Sequence, residues 1–449
     1  MAERVVPCDL AVIGGGPAGL STVLAARALA PSWHVRWCRG ISAEFLPAYG
    51  GNDLVHRLNV PVERMGLDAE APVDFFDWLR ARHPEREVQP GQFVPRQWFG
   101  DYMAARAQDS GADEQFGEVV ALTRCDDAWQ LAFKPAEDGS GGLETHSQPL
   151  RARRLALCLG MPAGLPMPGA PSHWVADPWA WWRALPEGEL PLRATDTVLI
   201  VGSGLTAVDM VLGLRSRGFL GLIRVVSTGG RWSQAHAAAP ALLPEQREVL
   251  EAALDEAHGA RELLRAIRQA ATQHPWRAVI DALRSQTNLH WSLLRPEEQR
   301  RVLRHGFSVW NRHRHRMAPD VLDTLARDRA LHISAGRVRV GEDGTVLARH
   351  CGIDSSIDAA LILDCRGPGF RAALAGDSLL ARVVREGVLQ AHPLGTGVLA
   401  PDDESLALIG AARFGERFET SAVPELRQQA CEQLRQWVGA DAEIAPRVV

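Results

Sequence analysis

The chain has 449 residues, too many for one ordinary core and enough for two domains. Hydrophobic residues make up 46% and charged residues 23%, a globular balance, and the net charge of -5 leaves no basic field for nucleic acid and no acidic tail of the disordered kind. No apolar run reaches the length of a membrane span, and residues 1–10 lack the charged region, apolar core and cleavage site of a signal peptide.

The N-terminal elements form a βαβ unit. Residues 9–13 (DLAVI) are a short apolar run expected to be a buried strand. GGGPAG follows at 14–19, then an Ala/Leu-rich stretch with helical spacing, and 34–38 reads as a second strand. Residues 117–159 alternate like a β meander with a turn at 139–143 (GSGGL), and 155–159 is a strand ending at Gly160. The Pro/Gly-rich stretch 161–171 is the best candidate linker. It leads to a tryptophan cluster at Trp174, Trp179, Trp181 and Trp182, expected mainly to fill core.

A second strand–glycine–helix unit starts at Thr197, with TVLIV, then GSGLTA at 202–207, then a helix to about Gly218 and a strand at 223–227. Residues 243–330, rich in Arg, Glu, Leu and Ala, read as a helical insertion. Strand patterns return from Leu331, with buried strands at 361–364 and 406–409, and 424–437 is a final helix. The seven cysteines are odd in number and scattered, with no CxxC pair, which argues for a reducing cytoplasm and against structural zinc or a redox-active disulfide.

A dinucleotide-binding turn needs a glycine for the tight strand-to-helix turn, a second that lets backbone approach the pyrophosphate, and a third small residue that lets helix and strand pack closely. Gly14, Gly16 and Gly19 meet this pattern between a predicted strand and a predicted helix, and Gly202, Gly204 and Ala207 meet it again. One unit at the N-terminus and one near mid-chain suggest an FAD domain interrupted by a nicotinamide domain. The expected architecture is therefore α/β, with two Rossmann-like domains and the nicotinamide domain inserted into the FAD domain. The first part of the FAD domain spans 1–170. The NAD(P) domain spans 171–345 and carries the helical insertion. The return to the FAD domain spans 346–449, which the strand at 361–364 and the final helix fit.

Several longer segments carry a family resemblance. They are DLAVIGGGPAGLST at 9–22, AYGGNDLVHRLNVPVERM at 48–65, FVPRQWFGDYM at 93–103, DPW at 177–179, VLIVGSGLTAVDMVLGL at 198–214, WNRHRHRMAP at 310–319 and FETSAVPELRQQA at 418–430. On these the chain resembles the bacterial FAD/NAD(P)-binding oxidoreductases related to flavin-containing and N-hydroxylating monooxygenases. The resemblance implies FAD in the first domain and NADPH or NADH in the second. It implies an enzyme that passes hydride to FAD and, through a hydroperoxyflavin made with molecular oxygen, hydroxylates a small molecule. A flavin-dependent dehydrogenase or oxidase without oxygen insertion, or a non-catalytic binding protein on the same fold, is the alternative.

The expected cofactor residues follow. Gly14, Gly15, Gly16, Pro17, Ala18 and Gly19 form the first turn, and Gly202, Ser203, Gly204, Leu205 and Thr206 form the second. By resemblance, Asn59 and Met65 pass near the flavin, Arg96 helps hold FAD, and Gly160 and Gly410 follow strand ends. Thr420, Ser421 and Ala422 open the last helix, where N-terminal amides favour negative charge on a reduced flavin. The chain departs from the pattern in three places. Cys38 or Arg39 stands where an acid normally meets the adenosine ribose, with Glu44 further on. The strand-end triplets read Cys158–Leu159–Gly160 and Cys365–Arg366–Gly367. After the second unit's strand, STGGRW leaves only Arg231 near the expected 2′-phosphate. His236 is a candidate for the nicotinamide or substrate site, Asp209 reads as structural, and His313 and His315 are spaced wrongly for a shared metal. No metal, nucleic-acid or membrane partner is expected.

Overall fold

The computed structural model describes residues 6–40, 49–50, 53–134, 149–162, 164–367 and 369–444. Glu44 and the turn at 139–143 lie outside the described residues. The chain divides into two compact units. The first comprises Met1–Asn52, Val60–Pro162 and Phe370–Val449, and the second comprises Asp53–Asn59 and Ala163–Gly369.

In the first unit, β1 (Val6–Ile13), β2 (Val35–Arg39) and β3 (Asp113–Phe116) are parallel, and β4 (Val119–Cys125), β5 (Ala128–Phe133) and β6 (Leu150–Leu157) complete the order β3-β2-β1-β6-β5-β4. β1 also pairs in parallel with β6, so its C-terminal end lies where the strand order reverses, the place at which open α/β sheets bind ligands. β1 is buried on both faces, which is why 9–13 reads as an unbroken apolar run. The helix Pro17–Leu29 begins with proline at its first position, where the missing N–H costs no hydrogen bond, and it packs against the long C-terminal helix Val423–Ile444. On that second helix Leu426, Ala430, Leu434 and Trp437 are buried at spacings of four, four and three, one stripe of an amphipathic helix.

In the second unit, β7 (Trp174–Val175), β8 (Thr197–Val201), β9 (Leu222–Ser227), β10 (Leu331–Ala335) and β14 (Leu361–Asp364) form one parallel sheet in the order β10-β9-β8-β14-β7. Between β10 and β14 lie β11 (Arg337–Val340), β12 (Val346–His350) and β13 (Ile353–Ser356), a separate antiparallel sheet. β8 stands at the reversal of strand order, as β1 does in the first unit. Helices from Pro244 to Arg327 fill the expected insertion and hold their own core of Leu250, Leu254, Val279, Ile280 and Leu283. β15 (Leu406–Leu408) then pairs with the C-terminal half of β6, back in the first sheet.

One expectation is corrected. The sequence reading places the strand at 361–364 in the return into the first domain, yet β14 pairs with β8 and β7 in the second sheet. Its composition, LILD, is that of any strand buried on both faces, so nothing in the run itself specifies which sheet receives it. The return to the first sheet is made by β15.

Candidate functional site

Both glycine turns are built on one backbone plan. Gly14 has φ +129°, and a Cβ added there would lie 2.1 Å from the carbonyl oxygen of Cys158. Gly202 has φ +103°, and an added Cβ would lie 2.6 Å from the carbonyl oxygen of Cys365. No side-chain-bearing residue is accommodated at either position without displacing backbone. The turns are pinned alike: Gly14 N–H donates to Cys38 O at 2.9 Å, and Gly202 N–H donates to Val226 O at 2.8 Å. At Gly19 an added Cβ would meet Gly14 O at 1.9 Å, so the first helix is drawn against the turn.

The helices start at Gly16 and Gly204, and no side chain caps either one. Around both glycines an added Cβ would meet nothing within 4 Å. Each turn therefore offers uncapped helix N–H groups to open space, the arrangement that receives a pyrophosphate. The glycines that must be glycine lie against protein, and the glycines that face space lie where a phosphate would approach.

The surroundings of the first turn are filled. Trp37 Nε1 donates to Gly14 O at 2.9 Å. Arg39, one of the two candidates for the place of the ribose acid, lays its side chain beside Gly15 and donates from Nη1 to both carboxylate oxygens of Glu114 at 3.1 and 3.0 Å, whereas Cys38 is buried. Behind the turn, Cys158 is buried with its Sγ 3.6 Å from Thr22 Oγ1, and burial pushes its thiol up to about 12. Cys38 and Cys365 are shifted upward by burial as well. All seven cysteines are free, and these buried thiols stay protonated and unreactive at neutral pH.

Gly410 joins the first turn to the end of the chain. A Cβ added there would lie 2.9 Å from Leu426 Cδ2 and 3.5 Å from Ala18 Cβ, so the first and last helices meet across it. Thr420 Oγ1 donates to Gly410 O at 2.8 Å, and Gln429 accepts from Gly410 N–H at 3.2 Å while donating to Thr420 O at 3.2 Å. Ser421 is exposed and Ala422 half-buried at the start of the last helix. Gln429 falls in the 418–430 segment that carries the resemblance, yet the sequence assigns it no role. Its role is set by a partner network spread over nineteen residues.

The second turn opens on a cavity of about 620 Å³. Ser203 Oγ donates to Arg231 O at 2.8 Å and lies 2.9 Å from Ser227 Oγ, from which it can accept, tying the turn to the end of β9. The sequence points to Arg231 as the cation beside the second turn and, by the family resemblance, to the basic run 312–316 as a cluster near the cofactor or substrate cleft, with a plain basic helix face as the alternative. Arg312 does line the cavity, and Arg337 and Arg366 join it, so the reading of Arg231 as the one cation beyond the second unit's strand is corrected. Arg312 comes from the helix Phe307–Arg314, which follows a π turn at Val302–Gly306. Arg337 comes from the start of β11, and Arg366 follows β14, where Asp364 pairs with it. The Nε of Arg312 is buried with no hydrogen-bond partner among the described residues. No spacing rule links positions 231, 312, 337 and 366, so only the topology assembles them.

The remaining expected residues are dispersed. Arg96 is the first residue of the helix Arg96–Asp109, and Met65 is buried behind the short turn Val62–Arg64. Gly160 is exposed beyond β6, and Leu205 and Thr206 form the first turn of the second unit's helix. Asn59 offers its carbonyl to His236 Nε2 at 3.0 Å. His236 is thereby held against backbone and is not among the residues lining the cavity. Asp209 is buried. His313 packs edge-on against Trp276, and Arg316 pairs with Asp281, so within the basic run Arg312 faces the cavity while its neighbours serve the insertion's packing.

The model of a family described as FAD-NAD(P)-binding matches residues 11–162. No curated protein sequence matches the chain. Among solved structures, the ornithine N-hydroxylase of Kutzneria sp. 744, in a structure with reduced FAD, NADP+ and L-ornithine, is similar with a TM-score of 0.58 and 15% identity, over 97% of this chain and 100% of that one. The FAD-bound cadaverine monooxygenase of Erwinia amylovora is similar with a TM-score of 0.59 and 12% identity, over 97% and 95%. A bacillithiol disulfide reductase from Bacillus cereus is similar with a TM-score of 0.55 and 11% identity, over 97% and 99%. Residues 11–162 thus match an FAD/NAD(P)-binding domain, and the chain as a whole is an α/β protein with the fold of the two-domain flavin monooxygenases.

Proposed function

We propose that this protein is an FAD-dependent oxidoreductase that uses NAD(P)H, and specifically a monooxygenase that hydroxylates a small molecule with molecular oxygen. The observation that carries the reading is the pair of open glycine turns, each at a reversal of strand order and each followed by an uncapped helix. The first unit is assigned to FAD and the second to the nicotinamide cofactor. Bound flavin supplies hydride acceptance from the nicotinamide and the activation of dioxygen.

The chain's own residues bind and orient. The N–H groups following Gly16 receive the flavin's pyrophosphate, with Gly14, Gly15, Pro17, Ala18 and Gly19 shaping the approach. Thr420, Ser421 and Ala422 lead into the last helix, whose positive end favours an anionic reduced flavin. Asn59, Met65, Arg96, Gly160 and Gly410 are assigned to the flavin by resemblance. In the second unit, Gly202, Ser203, Gly204, Leu205 and Thr206 receive the nicotinamide cofactor's pyrophosphate, and Arg231 and the other cavity arginines supply positive charge. That charge favours NADPH, which carries the additional phosphate, over NADH. No catalytic acid or base is assigned, because flavin chemistry asks the protein chiefly for binding, orientation and exclusion of water.

The buried, free thiols support an oxygenase over a dithiol reductase, since none pairs with another beside the first turn. Unpaired cysteines also suit the cytoplasm. Among the described residues no helix is long and apolar enough to cross a membrane. Primary aliphatic amines head the candidate substrates, because an ornithine N-hydroxylase and a cadaverine monooxygenase share this fold. The test supplies NADPH, 18O-labelled dioxygen and a panel of such amines. The reading expects oxygen-dependent NADPH consumption and a product carrying the label. NADPH oxidation that proceeds without oxygen and gives no labelled product would replace it with a dehydrogenase, and peroxide as the sole product would replace it with an oxidase.

A further inference from the structure

We infer that the ribose of the flavin's adenosine half is held by an Arg39–Glu114 pair, in which the carboxylate is supplied by the neighbouring strand β3 and not by β2. The inference rests on the flavin reading of the first unit.

In a dinucleotide fold the end of the second strand faces the glycine turn, and an acid there accepts hydrogen bonds from the ribose hydroxyls. Here that place holds Arg39, a donor-only side chain that cannot accept them. Its side chain nevertheless lies beside the turn: a Cβ added at Gly15 would sit 3.6 Å from both Arg39 Cβ and Nε. The Arg39 side chain is only 4% exposed. It is stacked over Trp37 at 4.8 Å and lies 5.4 Å from the ring centroid of Phe116. Its position is therefore fixed by packing before any ligand arrives.

Glu114 is brought in by register. β2 and β3 run parallel with Trp37 opposite Glu114 and Arg39 opposite Phe116. Residues two apart on a strand share a face, so Trp37, Arg39 and Glu114 all project to the same side of the sheet. Arg39 Nη1 holds both oxygens of Glu114, and each oxygen keeps a second lone pair. Glu114 is a quarter exposed, where Arg39 is buried, so the carboxylate is the partner that remains accessible. The cation orients the acid, and the acid restores the acceptor that β2 lacks.

The experiment measures FAD and FMN binding to the flavin-free protein and to Glu114→Gln. It adds an FAD analogue whose adenosine ribose lacks both hydroxyls. FMN has no adenosine half and reports on folding and on the rest of the site. Glu114→Gln is expected to weaken FAD about tenfold, the effect of one charge-assisted hydrogen bond, while FMN stays within about twofold. The analogue is expected to bind the unaltered protein about tenfold more weakly than FAD and to lose nothing further in Glu114→Gln, because the two changes remove the same contact. Equal losses for FAD, FMN and analogue would make Glu114 merely structural and overturn the inference, as would unchanged FAD affinity. If that variant fails to fold, Glu114→Asp, which keeps the charge opposite Arg39 and shortens its reach, takes its place in the same four-way comparison, with the same losses expected and the same results overturning the inference. An unaltered protein that binds neither flavin would overturn the flavin reading itself, and this inference with it.

Discussion

The two glycine turns use the same backbone and differ in what stands in front of it. In both, the first glycine leans on a cysteine carbonyl from the strand across the reversal, Cys158 in one unit and Cys365 in the other. Around the first turn the second strand contributes Trp37 and Arg39, both held in place, and the last helix closes in through Gly410 and Gln429. Around the second turn a cavity of about 620 Å³ is left, with arginines entering from four separate segments. The turn supplies the shared need of any dinucleotide, a place for its pyrophosphate. On the proposed reading, the neighbouring strand ends and inserted helices decide which dinucleotide fits.

The sharpest way to break this comparison is to spoil one turn at a time. Gly14→Ala forces a Cβ onto the Cys158 carbonyl at a positive φ and is expected to weaken FAD by about 100-fold or more. Gly202→Ala is expected to leave flavin content intact and to abolish flavin reduction by NADPH, read by flavin fluorescence after purification and by stopped-flow absorbance. Loss of flavin in Gly202→Ala would mean that the turns are not separate sites.

A second variant tests whether the C-terminal return belongs to the first unit. Asp441, near the end of the last helix, bonds the buried Arg154 of β6 at 2.6 and 2.9 Å. Asp441→Asn is expected to lower the first unit's stability by about 2 kcal/mol, measured by denaturant unfolding. The hydrogen bond and charge of Arg154, helped by Arg153, hold the Asp441 carboxyl below its usual range. That contribution is complete above the ordinary carboxylate pKa of about 4 and is lost as the pH falls through the lowered value, so the two proteins converge in acid.

How much of this was legible depended on whether a residue's role was local. The glycine turns could be read because each makes demands on a few adjacent residues that only glycine meets. The helical insertion could be read from composition over eighty residues. The destination of strand 361–364 could not, because an apolar run carries no address. Nor could Arg337 and Arg366, which line the second turn's cavity from the start of one sheet and the end of a strand in another, while Arg312 was reachable only through the family resemblance of its basic run. Glu114 lies seventy-five positions from Arg39 and enters only through the register of β2 and β3.

Arg337→Ala sharpens the second site further. NADPH affinity is expected to fall about tenfold with a smaller change for NADH, as checked by equilibrium titration of each. The mildest change is Ser203→Ala, which removes the hydroxyl linking the turn to Ser227 and Arg231. It is expected to raise the apparent Kd for NADPH about threefold to fivefold and leave FAD unaffected.

The central claim is that the first turn holds flavin and the second delivers hydride to it. The visible spectrum of the purified protein, recorded without oxygen before and after NADPH and again after air is admitted, tests it most directly. The account predicts flavin bands that bleach with NADPH and return in air. A colourless protein that stays colourless when mixed with FAD would contradict it.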